Sequence, residues 1–573
     1  MRYHALACDY DGTIAHHGTV HDDVLAGFAR LKSSGRRLIL VTGRILDDLL
    51  HVFPQAGLCD AIVAENGALL YWPETKKELL LCSPPPAAFV EALRRRRVEP
   101  LALGRAIVAT VEPHEVEVLA AIRDLGLELH VVFNKGAVMV LPSGINKATG
   151  LAAALEAMGL SPHNVAALGD AENDHAFMEL AECSVAVANA LPPLKQQADW
   201  VTAGDHGRGA LELIDRLVSS DLRELEPRLA RHEIPLGTLR DGGEVRVKPY
   251  GESVLLAGTS GGGKSTLAAG LLERLSDRGY QYFIVDPEGD YQEMEGPVIL
   301  GGARQPVVPE EALRVAARPG TDCVANLLGI ALEHRPPFFE GLMGGLLELR
   351  ARTGRPHWIL IDEAHHLLPA EWAPAVSTLP RRLHSSLMIT VHPEQVAPAV
   401  LEGVDLVIAI GASPAATLAG FARAVGVSAP EAPRVELEPG DAIGWRPKAA
   451  GPAGHPFWLR SIPPRAELRR HRRKYVEGEL HPDESFYFRG PAGKLRLRAQ
   501  NLQVFVQLAE GVDDETWMHH LRRGDYSAWF RQAIKDDRLA DAAERVEREA
   551  AEDPGGSRRR ILQQIEDHYT GAA

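Results

Sequence analysis

The sequence predicts an α/β protein: two successive parallel-sheet units, the first interrupted by an inserted α+β unit, followed by a mainly helical C-terminal region. Three observations carry this expectation. From Met1 to about Leu217, short apolar runs ("ALACDY", "RLILVTGR", "AIVAEN", "NVAALGD", "CSVAVAN") alternate with helix-like segments, and strands separated by helices pair in parallel. A second alternating series starts at "EVRVKP" and "SVLLAG" and continues through "YFIVDPEGD", "HWILIDEAHH", "SLMITVHPE" and "LVIAIG". Finally, 573 residues are too many for one core, since domains run to about 100–200 residues.

In chain order, residues 1–72 and 143–218 form the first core and 73–142 an inserted cap. The cap begins at "PPPAAFVEALRRRRVEP" and ends with the strand-like runs "LELHVVF" and "AVMVLP"; its Arg94–Arg97 run reads as a solvated helix end. Residues 219–250 read as a helical connector with short β-strands, 251–450 as the second α/β domain and 451–573 as the C-terminal region.

Apolar content of 45% and charged content of 24% are those of a globular protein and argue against disorder. No apolar stretch approaches the roughly 20 residues that span a bilayer, and no basic start leads into an apolar signal core. The expectation is a cytoplasmic protein with no membrane partner. Five cysteines without paired spacing indicate neither a disulfide framework nor a zinc site. A net charge of −15 disfavours whole-surface nucleic-acid binding but leaves room for a local basic pore.

"LACDYDGTIA" places Asp9 and Asp11 at the end of an apolar run, where open α/β sheets hold their ligands. Asp9 can attack phosphorus, and Asp11 can protonate the leaving oxygen and then activate water. "LVTGR" supplies Thr42 as a donor to a phosphate oxygen, and "GINKATGL" supplies Lys147 to neutralise charge. In "LGDAENDHAF", Asp170 and Asp174 can hold one Mg²⁺ together with Asp9 and a backbone carbonyl, Asp11 being counted with this metal set.

Four ordered motifs resemble the haloacid dehalogenase superfamily of phosphatases, specifically its Cof-like branch, over residues 1 to about 218. "GDAEND" and "ENGA" around Asn66 fit that branch. The resemblance implies a Rossmann-like core and Mg²⁺-dependent hydrolysis of a phosphomonoester through an aspartyl-phosphate. The cap selects the substrate, and Arg44, Asn66 and Asn173 are candidate substrate-binding residues.

"LLAGTSGGGKSTLAAG" fits G-x-x-x-x-G-K-[ST] between an apolar strand and a helix. Gly258, Thr259, Ser260, Gly261, Gly262, Gly263, Lys264, Ser265 and Thr266 are the candidate ATP-binding residues. Lys264 reaches the β- and γ-phosphates and Ser265 coordinates Mg²⁺. In "HWILIDEAHHLL", Asp362 holds Mg²⁺ through water and Glu363 polarises the attacking water. "YFIVDPEGDY" and "PRRLHSSLMITVHPEQV" resemble the HerA/FtsK group of RecA-like ATPases over about 234–445. Two departures stand: His392 occupies the sensor position usually held by glutamine, and the N-terminal barrel of HerA shrinks to "IPLGTLRDGGEVRVKP". Arg381 or Arg382 is either an arginine finger across a subunit interface or a surface ion-pair partner.

Basic and aromatic residues interleave in "RAELRRHRRKYVEGEL" and "ESFYFRGPAGKLRLRAQNL". The preferred reading is a solvated helix packed on the ATPase, because Arg469 to Lys474 surround a helix instead of lining one face. The functional expectation is a bifunctional hydrolase, a phosphatase joined to an ATPase that assembles into a homo-oligomer, a hexamer by preference. Two alternatives stay open: a nucleic-acid translocase that processes ends, and a kinase/phosphatase acting on a metabolite or polynucleotide end.

Overall fold

Continuous apolar runs need cover on both faces, which a parallel sheet flanked by helices provides. The computed structural model describes the chain except for residues 135, 260–261, 293, 372–382, 432, 434–436, 466–479, 481–484, 492, 494, 535, 550–552 and 570–573. Two units separate: Met1–Glu233 with Ala317–Gly320 and Leu346–Pro356, and Ile234–Ala316 with Thr321–Gly345 and His357–Ala573.

In the first unit the strands are β1 (Ala5–Cys8), β2 (Arg37–Val41), β3 (Ala61–Ala64), β4 (Leu69–Trp72), β5 (Lys77–Leu80), β6 (Ala102–Leu103), β7 (Val108–Val111), β8 (Leu129–Asn134), β9 (Ala137–Pro142), β10 (Val165–Gly169), β11 (Cys183–Ala186) and β12 (Trp200–Val201). The core sheet has the spatial order β12-β11-β10-β1-β2-β3-β4-β5. It is parallel as far as β3 and antiparallel at β4 and β5. β1 is buried along its whole length. The chain runs to one side of β1 through β2 and β3 and returns on the other side at β10, so the sheet reverses its order there. Such a switch point opens a crevice at the strands' C-terminal ends.

The inserted sheet, in the order β6-β7-β9-β8, packs one face on the helices Ala87–Arg95 and Glu115–Asp124 through Phe89, Leu93, Val118, Val138 and Val140. Its other face, with Ile107, Met139 and Leu141, packs on Ala68 and Ile45 of the core. β5 falls inside the expected 73–142 insertion, yet it pairs with β4 through Leu69↔Leu80 and extends the core sheet. The inserted elements proper therefore run from Ala87 to Pro142.

The second unit contributes β13 (Ile234–Thr238), β14 (Glu244–Val247), β15 (Ser253–Gly258), β16 (Tyr282–Asp286), β17 (Val298–Leu300), β18 (Cys323–Asn326), β19 (Trp358–Ile361), β20 (Ser386–Thr390), β21 (Leu406–Ile410), β22 (Asp441–Trp445) and β23 (Phe457–Ser461). Their order is β14-β13-β23-β22-β21-β15-β20-β19-β16-β18-β17. β15 is central and parallel to β20 and β21. β13 and β14, read from sequence as part of the 219–250 connector, hydrogen-bond into the antiparallel edge of this sheet through Gly237↔Ser461. The C-terminal region forms a hairpin, Phe486–Phe488 with Leu497–Ala499, and helices from Leu502–Gly511 to Pro554–Tyr569. Asn501 and Asp513 cap their helices by accepting from Val504 N and Thr516 N. The aromatics Phe486 and Phe488 are buried with Phe505, Trp517 and Tyr526, so they serve a core and are not presented for base stacking. Arg469 to Lys474 lie outside the described residues. Among the described residues, no helix is long and apolar enough to cross a membrane.

Candidate active sites

Register brings the first site together. Cys8 lies beside Leu40 and Leu168, so the residues that follow β1, β2 and β10 emerge at one end of the sheet. Asp9, Thr42 and Asp170 are all buried there. Lys147, the first residue of the helix Lys147–Ala157, is presented by a capping box in which Asn146 accepts from Thr149 N. Its ammonium lies 2.6 Å from Asp9 Oδ1 and 2.5 Å from Asp174 Oδ1. Asp174 Oδ2 accepts from the amides of Asp170 and Ala171 at 2.8 and 2.9 Å, and Asp170 Oδ1 accepts from the Thr13 hydroxyl at 2.9 Å.

One oxygen from each of Asp9, Asp170 and Asp174 lies within 4.8 Å of the other two. Burial pushes Asp9 above the ordinary carboxylate range, Asp174 and Asp170 push the same way, and Lys147 opposes them. Burial disfavours the charged Lys147, but Asp174 and Asp9 outweigh it and hold the ammonium charged. Three buried carboxylates around one lysine leave surplus negative charge. Hard oxygen donors with that surplus fit Mg²⁺.

The other expected residues surround this centre, Thr42 and Asn66 among them buried. Thr42 Oγ1 accepts from Arg44 N at 3.2 Å. Arg44 grips Asp11 with two bonds, 2.6 and 2.7 Å, and reaches Asp48 at 2.6 Å, a two-pronged fork. Asn173 Nδ2 donates to Asn66 Oδ1 at 3.1 Å. Two of the three candidate substrate contacts therefore meet each other, and the third meets Asp11.

Glu65, which the motif reading passed over, is fully buried. Its carboxylate accepts from the amides of Arg105, Ala106 and Ile107 at 2.8, 2.7 and 3.2 Å, clasping the inserted unit onto the core. A Cβ on Gly104 would lie 2.6 Å from that carboxylate, so this approach needs glycine. The sequence signal available was "ENGA" itself, where an acid precedes the expected Asn66.

In the second unit, Gly258 ends β15 at φ 149°, and a Cβ there would sit 2.0 Å from the Ile410 carbonyl. Lys264 opens the helix Lys264–Asp277 and folds its ammonium onto the carbonyls of Gly258 and Thr259, at 2.9 and 3.1 Å. Ser260 and Gly261 lie outside the described residues, as do Arg381 and Arg382. Asp362 follows β19, is buried, and accepts from Glu363 N at 2.9 Å. Its carboxyl is raised well above the usual range by burial, reinforced by Glu363, Asp290 and Asp286. A buried acid in acidic surroundings, just past the end of the strand that pairs with β20, fits a divalent cation.

Glu363 takes φ 41° and faces His365 Nδ1 at 3.4 Å. The same His365 nitrogen meets Thr390 Oγ1, the last residue of β20, at 3.1 Å. His392 is half exposed beside Glu394, its ring 6.1 Å from that of His365. Asp286 organises "DPEGDY" by accepting from Gly289, Asp290 and Tyr291 amides at 2.8, 3.1 and 2.9 Å. The motif reading names neither His365 nor Thr390, although the first histidine of "DEAHH" marks the place.

A model of haloacid dehalogenase-like hydrolases matches residues 6–95 and 113–214. A phosphoglycolate phosphatase of Methanothermobacter thermautotrophicus is 31% identical over 221 residues, 37% of this chain and 98% of its own length. The chain belongs to the haloacid dehalogenase-like hydrolases. The haloacid dehalogenase-like part also resembles phosphoglycolate phosphatase 2 of Saccharolobus solfataricus, 30% identical over 231 residues, 38% of this chain and 93% of that protein. A solved haloacid dehalogenase-like hydrolase from Bacteroides thetaiotaomicron is 21% identical, covering 38% of this chain and 99% of that one at a TM-score of 0.33. Beyond this part, a model of the central domain of helicase HerA matches residues 234–329, giving the chain a haloacid dehalogenase-like phosphatase domain and a HerA-like domain.

Proposed function

We propose that the chain is a bifunctional Mg²⁺-dependent hydrolase, a phosphomonoesterase joined to an oligomeric ATPase. The observation that carries the first activity is Asp9 at the end of β1, 2.6 Å from the buried Lys147 ammonium and grouped with Asp170 and Asp174. Asp9 attacks phosphorus as the bond to the leaving oxygen breaks, and Asp11 gives that oxygen its proton. Asp11 then takes a proton from the water that attacks phosphorus, and the bond from phosphorus to Asp9 breaks. Arg44, which holds both oxygens of Asp11, has to release it for Asp11 to reach the leaving oxygen. Lys147 offsets charge on the attacking carboxylate, and Thr42 donates to a phosphate oxygen. Mg²⁺, held by Asp9, Asp170 and Asp174 with a backbone carbonyl, supplies neutralisation of the phosphoryl oxygens when bound.

Small phosphorylated carboxylates are the favoured substrate class, supported by likeness to the archaeal phosphoglycolate phosphatases over nearly their whole length. In the second unit, Lys264 and Ser265 bind ATP and Mg²⁺, Asp362 orients the cation and Glu363 the water. A panel of phosphomonoesters that includes phosphoglycolate, read by phosphate release with and without Mg²⁺, tests the first activity. No release from any member contradicts it. The match of 234–329 to the central domain of helicase HerA favours a second reading, ATP-driven work on nucleic acid, which DNA-stimulated ATP hydrolysis would select.

A further inference from the structure

Away from both phosphate sites, three side chains able to bind metal converge where the strands of the first sheet begin. His163 lies on the turn Pro162–Asn164 that enters β10, Glu182 immediately precedes β11, and His232 lies on the turn Ala230–His232. The residues of β10 put about 17 Å of strand between this end and Asp170, so the cluster is distinct from the Asp9 centre.

His163 Nδ1 is 2.7 Å from Glu182 Oε2, and His232 Nδ1 is 3.7 Å from the same oxygen. One ligand atom from each of the three lies within 4.8 Å of the other two. His232 Nε2 is 2.9 Å from the backbone carbonyl of Glu182, and since a carbonyl only accepts, Nε2 carries the hydrogen. In the neutral ring Nδ1 then turns a bare lone pair toward a carboxylate oxygen. Two acceptors facing each other repel unless a cation lies between them. A histidine whose second nitrogen donates to a backbone carbonyl is also the usual orientation of a metal ligand. Arg2 takes the other oxygen of Glu182 and leaves Oε2 to the histidines. Glu182 is buried, while the His163 and His232 side chains are each 12% exposed, giving water access for a further ligand.

We infer that His163, Glu182 and His232 form a site for a transition-metal ion of the zinc class, bound through two imidazole nitrogens and one carboxylate oxygen. This donor set suits Zn²⁺ or Co²⁺ and discriminates against Mg²⁺. The ion ties the turn Ala230–His232 to the starts of β10 and β11. The competing arrangement is a metal-free ion cluster in which protons on the histidines do the cation's work.

The test uses full-length protein stripped of metal and held in excess Mg²⁺, so that the carboxylate sites are filled, then titrated with Co²⁺. One equivalent should produce the strong visible bands of a four-coordinate site containing nitrogen. The bands should disappear in His163→Gln and His232→Gln, both of which should retain Mg²⁺-dependent phosphatase activity. Equal bands in both variants, or only the weak spectrum of six-coordinate cobalt in the unmodified protein, overturns the site. Independently of any variant, Zn²⁺ should shield His163 and His232 from diethyl pyrocarbonate, as mapped by peptide mass spectrometry. Unchanged modification of both histidines would likewise overturn it.

Discussion

Glu65→Ala removes one acceptor from three amides at once, those of Arg105, Ala106 and Ile107 at 2.8, 2.7 and 3.2 Å. The carboxylate is fully buried, so water cannot replace it without the cap loop opening. A hydrogen bond to a charged group contributes about 1.5–3 kcal/mol, which corresponds to about 10- to 150-fold in local opening at 1.4 kcal/mol per decade. Hydrogen exchange read by mass spectrometry over the peptide 102–111 should accelerate by that factor, while peptides in β1 and β10 keep their protection. Gly104→Ala approaches the same contact from the other side, since its Cβ would meet the carboxylate at 2.6 Å, and should loosen the same peptide. Because Met139 on the inner face of the cap lies next to Gly43 between Thr42 and Arg44, phosphatase turnover should fall in both variants. Unchanged exchange at 105–107 in Glu65→Ala would refute the clasp.

Glu363→Gln should retain Mg²⁺-ATP binding and hydrolyse ATP at least about tenfold more slowly, checked by nucleotide titration and phosphate release. If ATP sites are shared between subunits, ATPase activity per subunit should fall on dilution and phosphatase activity should not; light scattering alongside both assays decides. Asp9 is pushed up to about 8 by burial, against about 3.9 for an unfolded aspartate. With its folded value raised, its contribution to stability is full below the unfolded value and is lost as pH rises through about 8. Thermal unfolding of the phosphatase unit in chelator should therefore occur at lower temperature at pH 9 than at pH 6, and saturating Mg²⁺ should flatten that dependence.

The convergence of Asp9, Lys147, Asp170 and Asp174 was legible because each follows or adjoins an apolar run, and parallel strands deliver their C-terminal ends to one edge. Likewise, the glycine-rich loop and Asp362 announce themselves by residue type at fixed spacing. The Arg44–Asp11 grip was not legible: each residue was given its own role, and only the turn after β2 brings them together. Glu65 was hidden for a different reason. Its partners are backbone amides, which leave no side-chain pattern. His163, Glu182 and His232 lie too far apart in sequence to suggest a ligand spacing, and they meet only because two turns and a strand start share one edge of the sheet. Two short strands such as β13 and β14 show alternation but cannot say which sheet they will join. The match that settles this is the ladder to β23, more than two hundred residues away.

The central claim is that Asp9 is the nucleophile in phosphomonoester hydrolysis. Its most direct test is to react the protein with a phosphomonoester and Mg²⁺, quench in acid, reduce with borohydride and map the modified residue by mass spectrometry. Reduction should convert Asp9 to homoserine in the native protein, and Asp9→Asn should show neither that product nor measurable phosphate release. Asp9→Asn releasing phosphate at a rate near that of the native protein would contradict the account.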